Sequence, residues 1–280
     1  MSSGVMAAVL FAAALHALWN SIVKSGDDKF AAAAVVCLWC GAIAFGAACL
    51  LSIPAPQSWP FIAASAVIHV VYFLLVGRLY RTADLSAAYP IMRGTAPLMT
   101  AIGAWLYLGE GLGLAGAAGV ALLVGGVFWM AVEGVRRGGV DRAALSAALA
   151  NSAVIALYSL TDGAGARLSG HAFAYNAWAD AITAILFAPL VLWLRGPTFA
   201  AEVVRQWRRG LAGGGAAFFA YAIVVWAMTR APIGLVAALR ETSVIFAALI
   251  GALVLNEKFR APRYAAAAFI AAGIIVLRLG

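Results

Sequence analysis

Charge is what this chain has least of. Only 11% of its 280 residues are Asp, Glu, Lys or Arg, against about 25% in an ordinary soluble domain. That excludes a water-soluble globule and a charged disordered tail. Cysteine is almost absent as well. Cys37, Cys40 and Cys49 fall in one apolar run, which excludes a disulfide-stapled secreted module. Cys37 and Cys40 share a helix face, yet no further metal ligand stands near them, and buried free cysteine packs as a small hydrophobe. No metal site is expected. Histidine is limited to His16, His69 and His171, without an H-E-x-x-H arrangement, and neither G-x-S-x-G nor a Walker A loop occurs. The usual starts of a metalloprotease, a serine hydrolase and an ATP-driven motor are therefore missing. We expect a non-enzyme without a cofactor.

What is there is apolar. Hydrophobic residues make up 65% of the chain and the mean hydropathy is +0.98. A helix needs about 20 apolar residues to cross about 30 Å of hydrocarbon. Apolar runs broken by Gly, Pro and charge lie near 4–23, 30–52, 59–80, 85–108, 113–132, 143–162, 172–194, 211–229, 232–255 and 261–279. They are continuous, whereas the strands of a barrel alternate, and a backbone in lipid must satisfy its own hydrogen bonds. The expectation is an all-α membrane protein with ten transmembrane helices. Residues 1–4 lack the basic n-region of a cleaved signal peptide, so the first run is expected to stay.

The few charges are unevenly placed. Of the 19 Lys and Arg, fourteen fall in the loops after the first, third, fifth, seventh and ninth runs, and Arg167, Arg230 and Arg278 fall on the other side. Positive loops face the cytoplasm, which puts both termini outside and assigns the basic balance to topology and lipid head groups instead of nucleic acid. Trp59, Trp193 and Trp207, near run ends, read as interfacial anchors.

The chain repeats itself. Arg93 and Glu110 recur as Arg240 and Glu257 at an offset of 147, with Leu108-Gly109-Glu110 matching Leu255-Asn256-Glu257, Thr82 matching Thr229 and Gly126 matching Gly273. Ala17-Leu18-Trp19-Asn20-Ser21 resembles Ala156-Leu157-Tyr158-Ser159-Leu160 at an offset of 139. The matches divide the chain into a first repeat at 1–135, a linker at 136–142 and a second repeat at 143–280. Five runs per copy is an odd number, so the second copy enters the membrane from the opposite side. Inverted repeats are the architecture of secondary transporters, with the substrate site near the midplane between copies.

Two five-helix halves, each with a small-residue-rich fourth helix ending in Leu-Gly-Glu or Leu-Asn-Glu and a glycine-bearing fifth, resemble the EamA repeats of the drug/metabolite transporter superfamily. The resemblance implies a ten-helix exporter of the bacterial inner membrane, with a small metabolite as substrate. Within the superfamily the resemblance points to YddG-like exporters of aromatic and neutral amino acids. Gly163 and Ile155 stand where the first half has Lys24 and His16, so any cargo contact by those two residues belongs to one half.

Charge inside a span costs about 3 kcal/mol on insertion scales and marks function. Arg93, Asp180, Arg240 and Glu241 lie well inside runs. They fit two roles: interhelical pairs, such as Arg240 with Asp180 or Arg93 with Glu241, or readers of a zwitterion, with arginine taking a carboxylate in a bidentate fork. Helical spacing adds His16, Trp19 and Asn20 on the first run, His69 and Tyr72 on the third, and Tyr89 beside Arg93 on the fourth. It also adds Tyr158 with Asn151 and Asp162 on the sixth, Asn176 with Asp180 on the seventh, and Tyr221 on the eighth. Aromatic walls with a few polar groups describe an amphiphilic pocket. Asp180 and Glu241 are the candidates for proton coupling; exchange down the cargo gradient needs neither. Glu110 and Glu257, at run ends, read as locks, and Pro90 and Pro97 mark the fourth run for a kink. Amphiphilic cations are the alternative cargo, and an intramembrane enzyme is the remotest reading.

Overall fold

A computed structural model of the chain describes residues 1–82, 85–138, 142–254 and 261–279, and all regular structure among them is helical. The helices are α1 (Ser3–Lys24), α2 (Lys29–Leu50), α3 (Trp59–Thr82), α4 (Leu85–Leu108), α5 (Leu114–Gly138), α6 (Arg142–Leu168), α7 (Ala172–Arg195), α8 (Phe199–Arg205), α9 (Trp207–Met228), α10 (Ile233–Arg240), α11 (Ser243–Val254) and α12 (Ala261–Leu279). Five stretches among the described residues are long and apolar enough to cross a membrane: α1, α2, Pro56–Val76, α7 and α9. Their outer surface is apolar too, with Phe45, Leu50 and Trp193 exposed. Trp207 is exposed as well, whereas Trp59 packs on Trp178 with ring centroids 5.3 Å apart.

Capping residues set several helix starts. Ser2 Oγ accepts from Val5 N–H, Asp28 Oδ1 from Ala31 N–H and His171 Nδ1 from Ala174 N–H, each satisfying an orphan donor of a first turn.

The structure departs from the apolar runs in three places. The run expected at 232–255 is not one helix: it breaks between Arg240 and Ser243 into α10 and α11. The fourth run, by contrast, is one continuous helix through Pro90 and Pro97. The sixth run does not stop at 162 but continues to Leu168, because its glycines are packing positions. A Cβ on Gly163 would meet Ile233 at 2.3 Å, and one on Gly165 would meet Phe61 and Tyr175. At the expected linker, α5 continues to Gly138 and α6 begins at Arg142, with 139–141 outside the described residues.

Packing interleaves the two halves of the chain. α5 packs on α12, α2 on α7 and α4 on α10, while α1 packs on α9 as α3 does on α6. Similarly, α2 meets α9 as α3 meets α7, and α4 meets α6 as α1 meets α10 and α11. Exchanging the halves therefore leaves this set of neighbours unchanged. Missing side chains permit the closest crossings. A Cβ on Gly41 of α2 would fall 2.0 Å from Ala184 of α7. On α5 and α12, Gly119 and Gly273 each face the other's carbonyl oxygen, at 3.2 and 3.0 Å from an added Cβ.

Candidate functional site

The break between α10 and α11 builds the centre of the site. Here Glu241 and Thr242 N–H groups donate to Ala238 and Leu239 carbonyls, and Val244 N–H donates to Glu241, all in the tight i to i−3 pattern. Thr242 Oγ1 also donates to the Leu239 carbonyl at 2.8 Å, a local bond that competes with the helical ladder. The break leaves Arg240 and Glu241 only 3% and 1% exposed, opposite Arg93 of α4 at 2%.

Arg93 and Glu241 pair as one of the sequence expectations had it. Arg93 Nε lies 2.8 Å from Glu241 Oε2, off the N–H direction, so the contact is an ion pair without an aligned hydrogen bond. Arg93 Nη2 also donates to Ser243 Oγ at 3.3 Å. The other suggested pair does not form: Arg240 does not bridge to Asp180. Its carboxylate neighbour among the described residues is Glu241 Oε1 at 3.9 Å, and its guanidinium stands over the Tyr158 ring at 5.9 Å. Arg240 is thus a buried cation held loosely beside an aromatic wall.

That wall comes from three helices. His69 stacks on Tyr158 at 4.4 Å and meets Tyr221 edge-on at 5.5 Å, while Tyr72 and Tyr221 contact Tyr158 at 5.7 and 5.8 Å. Behind it sits Asp162, completely buried. Its two oxygens accept from Tyr175 at 3.0 Å and Tyr221 at 2.5 Å. No Lys, Arg or His lies within ion-pair distance of it among the described residues. The sequence pointed to this residue weakly: it shares a face with Tyr158, but the sixth run was expected to end there. Since α6 continues for six more residues, Asp162 lies deeper than its place in the run suggested. On the same face, Asn151 is fully buried with neither amide atom hydrogen-bonded among the described residues.

The remaining expected residues divide. His16, half-buried on α1, lies within electrostatic range of Arg93 and Arg240. Trp19 donates to His16 Nδ1 at 3.3 Å but packs its bulk with Val23, Ala33 and Val36, and Asn20 donates to the His16 carbonyl at 2.8 Å. Asn176 donates to Asp180 Oδ2 at 2.9 Å, and Cys40 Sγ lies 3.8 Å from the same oxygen. This second acid, half-buried, stands apart from the arginines, within electrostatic range of Asp162. The side chain of Tyr89 lies outside the described residues. No group of three metal-ligating side chains occurs among the described residues.

Glu110 does tie helix ends together. Gly109 takes a φ of 66° after α4, and the Glu110 N–H donates back to the Ala104 carbonyl at 3.1 Å. A helix that ends on a left-handed residue in this way favours glycine or asparagine at that position. The turn delivers Glu110 to the second half of the chain. Its Oε2 accepts from Ile233 N–H at 2.7 Å, capping α10, and its Oε1 pairs with Arg167 at the end of α6. Arg167 in turn donates to the carbonyls of Met228 and Ala231 at 2.9 and 3.2 Å. Glu257, its repeat counterpart, lies outside the described residues.

With this geometry in place, comparison with known proteins is informative. Residues 142–279 match the model of the EamA-like transporter family. The chain is an EamA-like transporter by this match. It belongs with the drug/metabolite transporter superfamily, as its Leu-Gly-Glu and Leu-Asn-Glu sequence motifs suggested. Its apolar helices and the family together make it a multi-pass membrane protein that handles small molecules. One solved crystal structure superposes on it with a TM-score of 0.73 at 21% identity, covering 98% of this chain and 95% of that one; the likeness is one of fold. No curated protein matches.

Proposed function

We propose that this EamA-like protein is a secondary transporter that exports a small zwitterionic metabolite, with aromatic and neutral amino acids first, by alternating access. In this reading ten spans form two inverted repeats, 1–135 and 143–280, around a central cavity in the bacterial inner membrane, with both termini outside. The exchange-invariant packing of the halves supports the repeat. The observation that carries the function is Arg240: a buried guanidinium at a helix break, with its Nε unbonded among the described residues and a loose 3.9 Å carboxylate neighbour. Discontinuous helices of this kind form the substrate sites of many transporters.

In the proposed mechanism Arg240 takes the cargo carboxylate in its planar fork. The Asp162 and Asp180 carboxylates face the ammonium, while His69, Tyr72, Tyr158 and Tyr221 pack the side chain. The Arg93–Glu241 pair holds α4 to the break, and His16, Trp19, Asn20, Tyr89 and Asn176 complete the lining. Asp180 and Glu241 are the proposed coupling acids. A second reading, export of amphiphilic cations, is favoured by one feature: Asp162 beside stacked aromatic rings is a setting in which a cation is attracted to both charge and ring face.

The test is uptake into liposomes containing the purified protein, with a panel of labelled amino acids and with a pH gradient applied or omitted. Arg240→Gln is expected to lower amino-acid uptake at least about tenfold, the worth of a charge-assisted hydrogen bond, while the melting temperature stays within a few degrees. Wild-type rates in that variant would remove Arg240 from cargo reading, and competition by cations but not by zwitterions would transfer the assignment to the second reading.

A further inference from the structure

At the end of the molecule where α6 and α9 finish and α7 begins, a cleft of about 420 Å³ opens beside the Glu110–Arg167 clasp. That volume lies within the range of small-ligand pockets. Arg167, His171, Phe173, Trp226, Thr229 and Arg230 line it, and among the described residues no acidic side chain does. Arg230 stacks on Trp226 at 4.9 Å, and no carboxylate lies within ion-pair distance of it among the described residues. His171 Nδ1 is engaged as the acceptor for Ala174 N–H; in neutral imidazole this leaves the ring proton on Nε2, a donor. Thr229 spends its hydroxyl proton on the Trp226 carbonyl and so accepts at most. The charge and donor capacity facing the cleft are therefore positive, next to two aromatic faces.

Arg167 and Arg230 are also two of only three basic residues on this side of the chain, and both line the same cleft. Scattered topology charges would have no reason to converge there. An uncompensated guanidinium stacked on an indole, beside an imidazole donor and a second guanidinium, has the chemistry that recognises a phosphate.

We propose that this cleft is a binding site for a phosphate-bearing anion, supplied either by the head group of an anionic lipid or by a free phosphate, with Arg230 as its principal contact. The site is separate from the central cluster and stands whether or not the cargo reading does. Because Arg167 is shared with the clasp, an occupant draws on the same guanidinium as Glu110.

The experiment titrates the full-length protein, purified in a neutral detergent, with three probes: inorganic phosphate, short-chain phosphatidylglycerol and short-chain phosphatidylcholine. Tryptophan fluorescence referenced to a Trp226→Phe variant reports occupancy. Wild type is expected to bind phosphatidylglycerol or phosphate at least about tenfold more tightly than phosphatidylcholine. Binding of phosphate alone assigns the free anion as the source, and binding of phosphatidylglycerol only assigns the lipid. Arg230→Gln is expected to lower that affinity about tenfold. His171→Asn keeps a cap acceptor for α7 while removing the ring donor, and is expected to lower it less. Equal binding of phosphatidylcholine and phosphatidylglycerol with no response to phosphate, or unchanged affinity in both variants, overturns the proposal.

Discussion

Glu110 at one end of the molecule and Asp28 at the other do the same two things with different force. Each carboxylate caps a helix, α10 or α2, and each pairs with an arginine at the end of a second-half helix, Arg167 of α6 or Arg195 of α7 at 2.5 Å. Glu110 is 14% exposed and its arginine holds two further carbonyls; Asp28 is 47% exposed, and Arg195 has the Phe30 ring for a neighbour. One clasp ties α4, α6 and the α9–α10 turn into a unit, whereas the other fastens two helix ends in water. The lesson is that an ion pair's value depends on what else its partners hold. Exposed pairs contribute about 0–1 kcal/mol, and loss of one partner from a more enclosed pair costs more because the other is left uncompensated.

The comparison can be broken by substitution. Glu110→Ala removes the α10 cap and strands Arg167, and is expected to cost about 3 kcal/mol, seen as the largest fall in melting temperature of the purified protein. Arg167→Lys keeps the charge but loses the planar fork that reaches Glu110 and two carbonyls at once; a fall of about 1 kcal/mol is expected, with Glu110 still capping α10. A smaller loss for Glu110→Ala than for its counterpart at the other end would reverse the ranking of the clasps.

Asp28→Asn is expected to have the smallest effect, under about 1 kcal/mol. It also carries a pH signature. Partial burial alone pushes the Asp28 carboxyl up, but the Ala31 N–H and Arg195 outweigh it and hold the group below the ordinary aspartate range. The native value is therefore lower than the unfolded one of about 3.9. The stabilisation is complete above that unfolded value and is lost as pH falls through the native one. Melting curves between pH 6 and about pH 3 should fall less steeply in Asp28→Asn than in wild type.

Much of the architecture was legible because lipid imposes length. Nine of the ten expected runs each coincide with one long helix to within a few residues at most ends, and hydropathy located them. The ninth in chain order was misread, since nothing in an apolar run announces that Glu241 and Thr242 will abandon the helical ladder; at the break Arg93 of α4 pairs with Glu241. Gly163 and Gly165 looked like the end of a helix and turned out to be contact points for Ile233 and Tyr175. At the centre, helical spacing found His69, Tyr72, Tyr158 and Tyr221, which the fold brings together. It could not find the second Asp162 donor, Tyr175, because a contact between α6 and α7 leaves no period in either. The glutamate of Leu-Gly-Glu was legible as a lock, though its partner Arg167 had been counted only as a loop charge.

Interleaving has a bearing on synthesis. α1 finds its main neighbour only when α9 has been made, and α5 waits for α12. The first-half helices therefore keep glycine-lined grooves uncovered while their second-half partners are still being made. Gly119 remains an open notch for the whole of that interval, and the final nineteen residues of helix close it.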